Sequence, residues 1–147
     1  MSPPSHSRRG QSGIVLLEGL IAILIFSLGI LAIVGLQAVA VKQVTDSRYR
    51  SEAALLANQL LGTMWVGDRT TAALQNNFNT GGTGYAAWLG TAGTPGTVAG
   101  TLPGVSTYPP QVLVAADGTV TVTIKWLAPS QAANASAHTY VMIAQIK

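Results

Sequence analysis

The chain reads as an α+β protein: one long N-terminal helix, over residues 14–66, packed on a small antiparallel sheet of about three strands. Three observations carry this reading. An almost unbroken apolar run covers residues 13–41, with one carboxylate, Glu18, near its start. Apolar residues then continue at helical spacing, with no breaker before Gly62 and Gly67. Toward the C-terminus the period switches to strict alternation over residues 119–127, which is the signature of a half-buried strand.

Composition narrows the class. Charged residues make up 9% of the 147-residue chain and apolar ones 48%, whereas a soluble domain carries charge at roughly a quarter of its positions. The balance points to a membrane protein with one small globular part. The net charge of +3 is not a nucleic-acid signal, because Arg8 and Arg9 precede the apolar run and the rest holds six basic against five acidic side chains. No Lys/Arg cluster remains to follow a phosphate backbone. With no cysteine, thiolate metal sites, thiol catalysis, disulfides and a lipoprotein anchor are all excluded.

Residues 1–13, MSPPSHSRRGQSG, hold nothing that could build a packed element. The Arg8-Arg9 pair directly ahead of an apolar run orients that run with its N-terminal end in the cytoplasm and the following residues outside. A secretory signal would join such a region to only about 7–15 apolar residues and a small-residue cleavage site. Here the run is about twice that length and passes into a further helix, so retention in the membrane is expected. From Gly19 to Val41 there are 23 residues without a charge, enough to cross a hydrocarbon core of about 30 Å. Apolar side chains surround this helix on every side, as they do where a helix faces lipid or the centre of an assembly.

Glu18 is the exception in that stretch. A carboxylate deep in a bilayer helix costs on the order of 2.5–3.5 kcal/mol. The bland explanation is an interfacial residue near the helix N-terminus, where the dipole favours negative charge; the alternative is a functional group awaiting a partner. The surrounding sequence bears on the choice. Gly13-Ile14-Val15-Leu16-Leu17-Glu18, with a short basic leader before it and a long apolar helix after it, resembles the processing site of type IV pilins and pseudopilins. That resemblance implies a prepilin peptidase cutting between Gly13 and Ile14, methylation of the new Ile14 amine, and a role for Glu18 in subunit assembly. The family's usual first mature residue is phenylalanine or methionine; Ile14 departs from this, while the glycine on which cleavage rests is present. A new ammonium group and a carboxylate, each buried, are tolerable mainly because of one another. Major pilins often carry a proline near the position of Gly35; its absence here, with Gly29 and Gly35 instead, implies a straighter helix with local weakness, and close helix packing explains these glycines equally well.

Beyond Val41, residues 42–65 read KQVTDSRYRSEAALLANQLLGTMW. Tyr49, Ala53, Leu56, Ala57, Leu60 and Met64 form one stripe, and Ser47, Arg48, Ser51, Asn58 and Gln59 the opposite side. The helix would then reach about 80 Å at about 1.5 Å per residue. Leu55 falls in the polar arc and Leu61 at its edge, where scattered exposed leucines are ordinary; contact with a neighbouring subunit is the sharper alternative. The phrases GILAIVGLQAVAVKQ at residues 29–43 and YRSEAALLANQLLGTMW at 49–65 resemble the minor pilins called PilV, the type IV pilus modification proteins. The resemblance covers residues 13–65 and implies the pilin lollipop architecture.

Residues 68–108 hold most of the glycines and read as long loops with a short helical turn near Thr71–Gln75. No Walker lysine or strand-loop-helix frame accompanies them, so a nucleotide site is not indicated, and Trp88 reads as a local packing anchor. After Pro109-Pro110, a strand at 112–115 leads through Ala116-Asp117-Gly118, a hairpin-turn signal, into the alternating strand. Val120, Val122, Ile124 and Trp126 share one face. A polar loop, 128–137, precedes a third strand at 138–146 whose buried face is ambiguous, since Tyr140/Met142/Ile146 and Val141/Ile143 are both apolar.

Catalytic constellations, metal ligands and cofactor motifs are absent from this sequence. His6 lies in the leader, His138 stands alone at a strand start, and Asp117 is a turn residue, so no enzyme is expected. The domain layout expected is a leader over 1–13, a membrane and filament-core helix over 14–41, its amphipathic continuation over 42–66, and a small loop-rich β domain outside the inner membrane, in the periplasm, over 67–147. The expected partners are prepilin peptidase, other minor pilins and the major pilin, the inner-membrane pilus assembly machinery and the lipid bilayer, with no nucleic acid. The leading expectation is a minor pilin that helps prime or modulate pilus assembly. A type II secretion pseudopilin and a permanently anchored periplasmic binding module are the alternatives.

Overall fold

The computed structural model describes residues 12–129, 131 and 135–147. Apart from Ser12 and Gly13 the leader lies outside them, as does part of the 128–137 loop. The chain divides into two compact units, Met1–Val41 and Lys42–Lys147. Helix α1 covers Ser12–Val66. No proline falls within it, and it runs unbroken through Gly29, Gly35 and Gly62, where a Cβ would meet nothing within 4 Å. In the first unit every large apolar side chain of α1 is exposed.

In the second unit the 42–66 part of α1 lies against a three-stranded antiparallel sheet of order β1-β2-β3, with β1 at Gln111–Val114, β2 at Thr119–Trp126 and β3 at His138–Gln145. The fold is α+β. Ala53, Leu56, Ala57, Leu60 and Met64 are buried with Val120, Val122, Ile124 and Trp126. Tyr49 packs against them while partly exposed. In β3 the ambiguous face is settled: Tyr140, Met142 and Ala144 pack on the core and Val141 and Ile143 face out. The β1–β2 turn depends on Gly118, whose φ is +81° and whose missing Cβ would stand 2.5 Å from the Ile146 carbonyl oxygen. Asp117 closes it by accepting from the Thr119 N–H at 2.9 Å and hydroxyl at 2.8 Å. These bonds hold the Asp117 carboxyl below the usual aspartate range.

The stretch read as long loops differs from expectation. It holds three short helices: α2 at Thr71–Phe78, α3 at Thr83–Leu89 and α4 at Val98–Thr101. Thr70 and Thr97 supply side-chain caps for the first and last, and glycines with positive φ stand between the helices as stops. Leu74, Tyr85, Trp88 and Val98 from these helices join the core and widen the buried arc of α1. Leu61, placed by its spacing at the polar edge, is buried in the same core, whereas Leu55 remains 63% exposed.

Two side chains tie this layer down. The Trp88 Nε1–H donates to the Leu56 carbonyl of α1 at 2.8 Å, and the Tyr85 hydroxyl donates to the Pro110 carbonyl at 2.7 Å. Burial raises the Tyr85 pKa. A raised folded-state value means that this contribution to stability is present below the unfolded tyrosine value of about 10 and is lost as pH rises through the folded value. The urea midpoint of wild type minus that of Tyr85→Phe should therefore shrink when pH is raised from about 9 to about 11. A difference constant across that range would contradict the burial of an un-ionised phenol.

Candidate functional site

The sequence singles out the N-terminal end of α1, and the helix fixes what its residues can reach. Gly13 and Ile14 belong to its first turns. Ile14 is 65% exposed, and no atom crowds Gly13 within 4 Å of where a Cβ would stand. Ile14 and Glu18 are four residues apart and so share a face, where with Leu17, Ile21, Ala22 and Ile25 they line a shallow apolar groove. Glu18 is exposed there and makes no hydrogen bond or ion pair among the described residues. The nearest groups on its face are hydrocarbon, which offers a carboxylate neither charge nor donors.

Chemically, this is a surface waiting for another environment. From Ile14 to Val44 the large apolar side chains are between 47% and 72% exposed, far more apolar area than a soluble monomer leaves in water. The helix is long and apolar enough to cross a membrane, consistent with single-pass anchoring.

Sequence reasoning missed a second polar site in the Lys42–Lys147 unit. His138 is not alone. Its ring stacks on Trp126 with centroids 5.5 Å apart at 16°, its Nε2 lies 2.9 Å from Gln131 Nε2, and the same nitrogen lies 3.7 Å from Asp46 Oδ1. Asp46, Ser47, Arg50, Trp126, His138 and Thr139 together line a cleft of about 280 Å³. Two buried polar atoms there, Asp46 Oδ1 and Trp126 Nε1, have no hydrogen-bond partner among the described residues. Asp46 and His138 lie far apart in sequence and only the fold brings them together, so no local pattern announced the site. Among the described residues no three His, Asp or Glu side chains converge as metal ligands would.

Fold and surface together define the class: an α+β protein with a small mixed core and one helix able to span a bilayer. No family model, no curated protein and no solved structure matches the chain.

Proposed function

We propose that this chain is a minor type IV pilin of the PilV kind, a structural subunit that primes or modulates pilus assembly. In this reading a prepilin peptidase removes residues 1–13, the Ile14 amine is methylated, and the subunit waits in the inner membrane with its C-terminal unit in the periplasm. Other minor pilins and the major pilin then receive it into a filament. One observation carries the reading: the Gly13-Ile14 pair and Glu18 stand on the first turns of a single 55-residue helix, with Glu18 unpaired among the described residues on an exposed apolar face. A permanent anchor needs the hydrophobic length but has no use for an unpartnered carboxylate inside it.

Mass spectrometry of the protein purified from its own membrane tests this directly. The expected N-terminus is Ile14, carrying the mass of one added methyl group. A chain that still begins at Met1 would remove the filament reading and leave the anchored module in its place.

A further inference from the structure

In the Lys42–Lys147 unit, side chains from three separate stretches meet around one imidazole. His138 opens β3 directly opposite Trp126 of β2, and the ring stack between them holds the imidazole over the indole. Stacking occupies the ring face and leaves its edge to choose a hydrogen-bond partner. Two groups of opposite kind stand at its Nε2: Gln131 Nε2 at 2.9 Å and Asp46 Oδ1 at 3.7 Å.

A backbone donor decides which of them is used. Gln131 Oε1 accepts from the Ala128 N–H at 3.2 Å, so the amide cannot be turned round without setting its NH2 against another donor. Its nitrogen therefore faces His138, and an amide nitrogen only donates. His138 Nε2 must accept, which places the proton of the neutral ring on Nδ1. In that state Asp46 is left out. Its Oδ1 is buried and has no hydrogen-bond partner among the described residues, a costly arrangement for an acceptor and more so for a charged one.

Protonation reverses the choice. An imidazolium has no acceptor, so a proton taken from solvent onto Nε2 ends the bond from Gln131 and creates a charged donor beside the orphaned oxygen. Closing the gap to a charge-assisted bond takes a movement of about 1 Å. The His138 and Asp46 side chains are 34% and 29% exposed, which gives the proton a route to the ring although Asp46 Oδ1 itself is covered. The surrounding charges are few among the described residues. Asp46 and Arg50 of α1 line the cleft, Tyr49 and Tyr140 pack in the adjoining core, and Trp126 and Gln131 carry no charge. Lys125 falls on the opposite face of β2, by the alternation of that strand.

We propose that His138 is a pH-driven latch. Neutral, its Nε2 accepts from Gln131 and ties the 128–131 turn to the start of β3; protonated, the same nitrogen donates to Asp46 and ties β3 to α1, releasing the turn.

The test uses the full chain in nonionic detergent, isotope-labelled at the histidine nitrogens, with His6→Ala so that one imidazole is observed. At about pH 8, above the ordinary histidine value, the nitrogen shifts should report the Nδ1–H tautomer. Two variants should then move the titration midpoint of His138 in opposite directions. Asp46→Asn should lower it, because the imidazolium loses its carboxylate, and Gln131→Leu should raise it, because the neutral ring loses its donor. The pair attracts only while the ring is charged, so the urea midpoint lost on Asp46→Asn should be larger at about pH 5.5 than at about pH 8. His138→Phe, which keeps the stack, should abolish that difference, and the midpoints at about pH 8 report whether each variant folds. An Nε2–H tautomer at about pH 8, a titration midpoint unmoved by both variants, or an Asp46→Asn loss equal at the two pH values would overturn the proposal. The last is the result expected if Arg50, one turn along α1, holds the carboxylate instead.

Discussion

On the proposed pilin reading, replacing Glu18 with alanine is expected to leave membrane insertion and cutting after Gly13 intact while recovery of the subunit in sheared filaments falls by about tenfold or more, the equivalent of about 1.4 kcal/mol. Two effects of opposite sign make this a sharp test. In the bilayer the substitution is favourable, because it removes a carboxylate costing on the order of 2.5–3.5 kcal/mol near the span centre and less near its edge. In an assembly where that carboxylate meets a new N-terminal ammonium, it is unfavourable, because deleting one partner of a buried ion pair costs about 3–5 kcal/mol through the charge left behind. An interfacial role alone would give slightly better membrane retention and unchanged incorporation. Glu18→Gln separates charge from shape: if pairing is the issue, glutamine should resemble alanine in filament recovery. Immunoblots of membrane and sheared fractions, with the N-terminal mass of each variant, supply the measurement.

How much of this was legible in the sequence depended on the range of the interactions involved. The α1 stripe and the β2 alternation are local patterns enforced by 3.6- and 2-residue periods, and Leu56, Leu60, Val122 and Ile124 are buried as their spacing required. Asp117-Gly118 marked its turn because only certain residues accept that geometry. The glycine-rich region misled because glycine marks both a loop and the stop between short helices; the caps at Thr70 and Thr97 were the available signal. Leu61 and the third strand needed knowledge of what packs beside them, and Tyr140 and Val141 are equally apolar until a core is placed on one side. The Gly13, Ile14 and Glu18 arrangement was visible in the sequence because its residues lie within two turns of one helix. The Asp46–Trp126–His138 cleft was invisible because its members come from three distant elements.

Trp88→Ala should lower the stability of the Lys42–Lys147 unit by about 3–5 kcal/mol, the usual range for truncating a buried tryptophan, whereas Trp88→Phe should cost far less. Trp88 is 7% exposed and is the point where α3 meets α1. Its ring stands 6.1 Å from that of Tyr85 at a tilt of 56°, so truncation leaves a cavity that Tyr85 alone cannot fill. The hydrogen bond itself is the smaller part, about 0.5–1.5 kcal/mol net. The Leu56 carbonyl keeps its own helical partner when the indole is gone, so no acceptor is orphaned. Against a total stability of about 5–15 kcal/mol for an ordinary domain, the alanine variant stands close to unfolding. Urea titration followed by tryptophan fluorescence in a Trp65→Phe background measures this, since Trp126 is buried in the same core and remains as a reporter in both Trp88 variants. An alanine variant no less stable than the phenylalanine variant would mean that the short helices are not bound to α1 through this ring.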